Sequence, residues 1–136
     1  MDQRWIFAPM GALAFLTFGV LTLIPIRRFR AGALGQVTAD DFKFGESPAV
    51  PGHVSIPNRN YMNLLELPML FYVGSLMFFV AGKVDGVVLA VAWLYVALRA
   101  LHSLVHLTCN NVRHRLTPFA ASNLVLMAYW VLVFTR

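Results

Sequence analysis

The stretch RNYMNLLELPMLFYVGSLMFFVAG, residues 59–82, decides the fold, because a long apolar run follows directly on a polar start. The polar start contributes Arg59, Asn63 and Glu66, and the apolar run begins at Leu67. About 20 mostly apolar residues are needed to cross the hydrocarbon core of a bilayer, which is roughly 30 Å thick. The stretch therefore predicts a membrane-spanning helix with ionisable residues at its mouth.

The rest of the chain repeats this apolar pattern. The 136 residues are 59% apolar and 12% charged, whereas soluble domains carry about 25% charged residues. The apolar residues form four continuous blocks without the alternation of membrane β-strands. We therefore predict an all-α integral membrane four-helix bundle in a single domain. The predicted helices cover residues 5–26, 59–82, 86–112 and 118–134, and residues 27–58 form a polar loop.

The distribution of basic residues predicts the orientation in the membrane. Seven lysines and arginines lie within residues 27–60 and 110–117, and only three lie at the termini and in the turn after residue 82. The positive-inside rule then places both loops in the cytoplasm and both termini outside. Because these loops account for the net charge of +5, we expect no nucleic acid as a partner.

Polar residues inside the predicted spans fall on common helix faces. Arg59, Asn63 and Glu66 are spaced by four and three residues, so a helix presents them on one side. A second face on the third predicted span, within a sector of roughly 60°, consists of Arg99, His102, His106 and Arg113. An ionisable side chain at the centre of a membrane helix costs about 2.5–3.5 kcal/mol, so these positions are candidates for function.

Three interpretations of the polar faces remain open from the residues alone. In the first interpretation, Glu66 and Arg99 form an internal ion pair that only holds the helices of the bundle together. With Arg27 or Arg28 from the end of the first span, the two faces also predict a pocket for an anionic ligand with an ammonium group. Finally, His102 and His106 are spaced as two metal or haem ligands on one helix face.

Three motifs together resemble the MAPEG family, the membrane-associated proteins in eicosanoid and glutathione metabolism. They are R-x-x-x-N-x-x-E in residues 59–66, RRFR in residues 27–30, and RALHSLVHLTCNNVRHR in residues 99–115. The resemblance implies a homotrimer with glutathione as co-substrate near the cytosolic face, between subunits. It also implies membrane lipids and a lipophilic substrate as partners, and we expect a bacterial branch in the inner membrane.

The resemblance also assigns roles to individual residues. It implies that Arg113 stabilises the glutathione thiolate, with Arg115 as the alternative, for attack on a lipophilic electrophile or hydroperoxide. It implies glutathione contacts from Arg27 or Arg28, Arg59, Asn63, Glu66, Arg99, His102 and His106. The chain departs from the family at Leu67 and His106, where tyrosine is common. A non-catalytic member with the same fold therefore stays an alternative.

Overall fold

The computed structural model describes all 136 residues as a bundle of α-helices without a β-strand. The helices are α1 (Phe7–Ala33), α2 (Gly52–Leu65), α3 (Pro68–Ala81), α4 (Gly86–Leu107) and α5 (Val112–Thr135), with short 3-10 helices at Gln3–Ile6 and Ala39–Phe42. Because α2 and α3 form one interrupted segment, four segments are long and apolar enough to cross a membrane. The prediction of an all-α, four-span membrane protein is confirmed.

Helix α1 is longer than the predicted 5–26 and carries the arginine cluster of residues 27–30 as helix rather than loop. Arginine and alanine are good helix formers, so nothing in this segment stops the helix before Gly35. Gly35 has a positive φ of 73°, a left-handed conformation that glycine adopts at low cost after a helix end. The polar connection is therefore residues 34–51 rather than 27–58.

Helix α2 begins at Gly52, ahead of the predicted start at residue 59, and contains Pro57. Proline has no N–H, so the carbonyl four residues earlier loses its helical donor. That carbonyl belongs to His53, and Arg27 Nη1 donates to it at 2.9 Å. An arginine of α1 thus replaces the missing hydrogen bond and ties the two helices together.

The span predicted at 59–82 is broken at Glu66 and Leu67, because Pro68 follows at the start of α3. Pro68 has no N–H and its ring would clash with the Leu64 carbonyl in a continuous helix, and Glu66 has a non-helical ψ of −100°. Leu67 makes no backbone hydrogen bond to Asn63 across the break. The freed Asn63 carbonyl accepts instead from Arg99 Nη2 of α4, at 3.0 Å.

The third span ends at Leu107, not at residue 112, and α5 begins at Val112, not at residue 118. Asn111 caps α5, since its Oδ1 accepts from the N–H groups of Arg113 and His114 at 3.0 and 3.3 Å. Asn110 has a positive φ of 45°, which asparagine tolerates better than most residues. Arg113 therefore belongs to α5, and its predicted place on the polar face of the third span is wrong.

The end of the bundle that carries the termini is closed by polar contacts. Gln3 exchanges hydrogen bonds with the backbone of Val84 at 2.7 and 3.2 Å, and Arg136 pairs with Asp85. The main buried core includes Phe71, which stacks on Tyr95 with ring centroids 4.9 Å apart. The opposite end carries the 34–51 connection and the turn at residues 108–111, and the polar residues of the chain concentrate there.

Candidate functional site

A polar pocket of about 290 Å³ lies between α2, α4 and α5 at the end of the bundle with the 108–111 turn. It is lined by Arg59, Asn63, His102, His106, Val112, Arg115, Leu116 and Phe119. The lining has two arginines and no acidic residue. It also includes the first turn of α5, where the helix dipole adds partial positive charge. The pocket is therefore suited to an anion.

Arg99 lies beside the pocket residues and is fully buried. Its guanidinium stands 5.7 Å from the ring centroid of Phe119, and its one hydrogen bond goes to the Asn63 carbonyl. Nε and Nη1 of Arg99 are buried without a partner, and no carboxylate lies within ion-pair distance. Buried charges are normally paired, so this guanidinium retains two donors for an anionic ligand.

The two histidines line the pocket with unpartnered ring nitrogens. His102 Nδ1 lies 3.1 Å from the Arg115 carbonyl, which can only accept, so Nδ1 carries the proton and Nε2 of the neutral ring is an acceptor. His102 Nε2 and His106 Nδ1 are both buried without a partner. The pocket thus combines guanidinium donors with at least one imidazole acceptor.

A buried pair of hydrogen bonds beside the pocket holds α2 against α4. Asn60 Nδ2 donates to the Ser103 carbonyl at 3.3 Å, and Ser103 Oγ donates to Asn60 Oδ1 at 3.0 Å. Both residues are almost fully buried. Because Asn60 and Ser103 satisfy each other, they fix the spacing between the helices that carry Arg59, Asn63 and His102.

Of the residues predicted for the site, the structure brings four into the lining of this pocket: Arg59, Asn63, His102 and His106. Arg99 lies behind them. Glu66 is exposed at the break after α2, and Arg113 is exposed on the first turn of α5. The interpretation of Glu66 and Arg99 as an internal ion pair fails in the single chain, since the two side chains are not within ion-pair distance of each other.

Arg27 and Arg28 lie outside this pocket. Arg27 contacts His53, whereas Arg28 pairs with Glu46 at 3.2 Å and lies over the Phe42 ring at 4.4 Å. The interpretation of His102 and His106 as metal ligands finds no third ligand. Their ring centroids lie 5.8 Å apart, but no further histidine, cysteine or acidic residue completes a group that could hold a metal ion.

Two contributors to the pocket were underestimated from the sequence. Arg115, the weaker alternative for the thiolate, lines the pocket and donates from Nη1 to Asn110 Oδ1 at 2.9 Å. Phe119 was not singled out at all. The signal that reveals both is the Asn110–Asn111 pair, because asparagine is favoured at helix N-caps. An N-cap at Asn111 places the start of α5 at Val112 instead of residue 118.

The comparisons with known proteins give one finding. A family model described as MAPEG family matches residues 6–135 of the 136-residue chain. No curated protein and no solved structure matches the chain. The family includes glutathione transferases and peroxidases as well as non-catalytic members. Because the match covers nearly the whole sequence, the chain belongs to the MAPEG family.

Proposed function

We propose that the protein is a membrane-embedded, glutathione-dependent transferase or peroxidase. The observation that carries this proposal is the pocket between α2, α4 and α5, where two arginines line a cavity that has no acidic residue. Glutathione has two carboxylates, one ammonium group and a thiol. Arginine pairs with carboxylates through two parallel hydrogen bonds. Arg59 in the lining and Arg99, which is buried behind it, are therefore suited to the carboxylates.

The remaining groups of glutathione need acceptors. Asn63 and His102 line the pocket, and His102 Nε2 is an acceptor without a partner. Glu66 supplies the negative charge for the ammonium group, since it lies three residues beyond Asn63 and is exposed at the helix break. His106 provides a further ring nitrogen at the same end. These contacts fit a tripeptide with opposite charges at separate positions.

An arginine beside the thiol activates it. A neighbouring guanidinium lowers the pKa of a thiol and favours the thiolate, which is the reactive nucleophile. In this chain Arg115 lines the pocket while Arg113 is exposed outside it, so we assign the role to Arg115 and treat Arg113 as the rival. Attack on an electrophilic carbon forms the S–C bond and expels a leaving group, or the product is protonated after addition.

Peroxidase chemistry uses the same thiolate. Its sulfur attacks one peroxide oxygen, the O–O bond breaks, and the alkoxide leaves as an alcohol after taking up a proton. A second glutathione then displaces hydroxide from the resulting sulfenic acid, which gives glutathione disulfide and water. Neither reaction needs a nucleophile from the protein.

We further propose that the site is completed in a homotrimer. A cavity of about 290 Å³ is slightly smaller than the roughly 300–1,000 Å³ typical of small-molecule sites. A neighbouring copy that presents Arg27 would close the cavity and add a third cation. We place the protein in a bacterial inner membrane, with residues 27–60 and 110–117 on the cytoplasmic side and a lipophilic substrate arriving from the bilayer.

Calorimetric titration of the detergent-solubilised protein with glutathione tests the proposal. We expect saturable binding that Arg59→Ala weakens by at least tenfold, because a hydrogen bond to a charged group contributes about 1.5–3 kcal/mol. Arg30→Ala is the matched control, since Arg30 is an exposed arginine at the same end but outside the pocket.

Turnover separates the possible members of the family. Conjugation of an activated aryl halide or reduction of an organic hydroperoxide is expected in the wild type. Binding without either reaction would identify a non-catalytic member, and absence of binding would overturn the proposal altogether.

A further inference from the structure

A second, larger cavity lies between α1 and the 34–51 connection, away from the pocket formed by α2, α4 and α5. Its volume is about 720 Å³. Helix α1 lines one side and the start of the connection lines the other. The lining includes Ile24, Pro25, Arg28, Gly32, Thr38 and Phe42. Arg28 is the one charged residue among them, so the cavity is apolar with a single cation.

The wall formed by the connection is an ordered structure. Val37 packs with Ala31 and Val54 in a small buried cluster. Asp41 accepts hydrogen bonds from the Thr38 N–H at 2.8 Å and from the Ser47 hydroxyl at 2.8 Å. The Val37 cluster holds the connection against α1 and α2, and the Asp41 hydrogen bonds order the connection itself.

Arg28 has donors left for a ligand. Its Nη2 bonds to Glu46 at 3.2 Å and its guanidinium covers the Phe42 ring, but Nε is buried without a partner. About 31% of the side chain is exposed. Arg27 and Arg30 lie beside it on the same end of α1. Such basic clusters at the membrane surface attract anionic lipid headgroups.

We propose that this cavity binds one anionic phospholipid, with an acyl chain in the cavity and the phosphate on Arg28. The cavity runs from Ile24 and Pro25, within the apolar part of α1, to Thr38 in the polar connection, as a lipid does from chain to headgroup. A cavity of about 720 Å³ lies within the 300–1,000 Å³ range of drug-sized ligands. It therefore suits one chain, while the second chain stays in the bilayer. This proposal does not depend on glutathione chemistry.

Two glycines of α1 allow a matched test. A Cβ added at Gly32 or at Gly19 meets no atom within 4 Å, but only Gly32 lines the cavity. The protein is reconstituted in nanodiscs with equal amounts of phosphatidylglycerol and phosphatidylcholine, extracted with detergent, and weighed intact by native mass spectrometry. We expect the wild type to retain phosphatidylglycerol preferentially. Gly32→Phe should reduce retention at least tenfold, and Gly19→Phe should leave it unchanged.

Two charge variants separate headgroup binding from folding of the connection. Arg28→Gln should weaken phosphatidylglycerol retention about fivefold, because one basic residue near the surface contributes about 1 kcal/mol to the attraction. Glu46→Gln breaks the same ion pair but keeps the cation, so retention should persist.

Several results would overturn the proposal. These are full retention in Gly32→Phe, equal losses in Arg28→Gln and Glu46→Gln, or displacement of the phospholipid by oleate at equal concentration. The last result would assign the cavity to a fatty acid. A change of oligomeric mass in Gly32→Phe without loss of lipid would assign the cavity to contact between copies.

Discussion

Replacement of Arg115 by alanine is expected to abolish the glutathione thiolate in the resting complex. A free thiol has a pKa near 8.5, so a site that ionises it at neutral pH must lower this pKa by about 2 units, or about 2.7 kcal/mol. Arg115 is half-buried and its Nη1 is held by Asn110. A thiolate about 4 Å from this guanidinium gains about 4 kcal/mol at an effective dielectric constant of about 20, so one arginine suffices.

The assay follows the ultraviolet absorbance of the thiolate at saturating glutathione and pH 7. With the pKa lowered to about 6.5, about three quarters of the bound thiol is ionised, and without the arginine about 3% remains. Arg115→Lys keeps the charge without the planar donor fork, and we expect it to keep part of the absorbance. Arg113→Ala is the matched control, because Arg113 lies two residues away on α5 and is exposed.

The opposite pattern refutes this assignment. If the absorbance survives in Arg115→Ala and disappears in Arg113→Ala, the arginine implied by the family resemblance is the correct one and acts from a site that a neighbouring copy completes. If the wild type shows no thiolate while glutathione binds, the pocket does not activate the thiol.

Three further predictions concern the framework of the site. Asn60→Ala should destabilise the protein by about 1–2 kcal/mol, because it loses the buried hydrogen bonds to Ser103. Thermal unfolding in detergent measures this loss, with Asn58→Ala as the control because the Asn58 side chain makes no hydrogen bond. Equal destabilisation by the two substitutions would contradict the prediction. Gly74→Ala should destabilise by about 1 kcal/mol, because its Cβ would lie 3.3 Å from the buried ring of Tyr129, whereas Gly19→Ala should be neutral or stabilising. Hydrogen bonds from the Thr38 N–H and then from the Ser47 hydroxyl lower the pKa of Asp41. The 34–51 connection should therefore be ordered above pH about 4 and should lose its protection from proteolysis as the pH falls through the lowered pKa. Asp41→Asn should remove this pH dependence, and protection that stays unchanged down to about pH 2 would argue against the prediction.

The number of spans and the family follow from the sequence because both rest on long-range features. Apolar blocks of about 20 residues predict spans whatever their details, and motifs spread over residues 27–115 cannot agree by one local coincidence. The helix ends were predicted less well, since they depend on a few residues with special backbone chemistry. Pro68 breaks the second span, and Asn111 starts α5 early.

One such error changed the site. A helix continued through residue 112 carries Arg113 onto the face of His102 and His106, whereas the turn at residues 108–111 resets the helical phase. Arg115 then faces the pocket and Arg113 does not. The burial of Asn60 beside the half-buried Asn63 likewise depends on how α2 packs against α4, which no spacing rule reveals.

The helix breaks explain how arginines lie inside the bundle without acidic partners. A carboxylate paired with Arg99 would have satisfied the charge and left nothing for an anionic ligand. The helix break before Pro68 instead leaves the Asn63 carbonyl without a bond from the Leu67 N–H, and this neutral acceptor holds Nη2 in position while Nε and Nη1 stay unpartnered. Pro57 does the same for Arg27 through the His53 carbonyl. Irregular backbone within a membrane span is tolerated where it lines a cavity, so the prolines that cost helical hydrogen bonds orient cationic side chains whose charge remains available for binding.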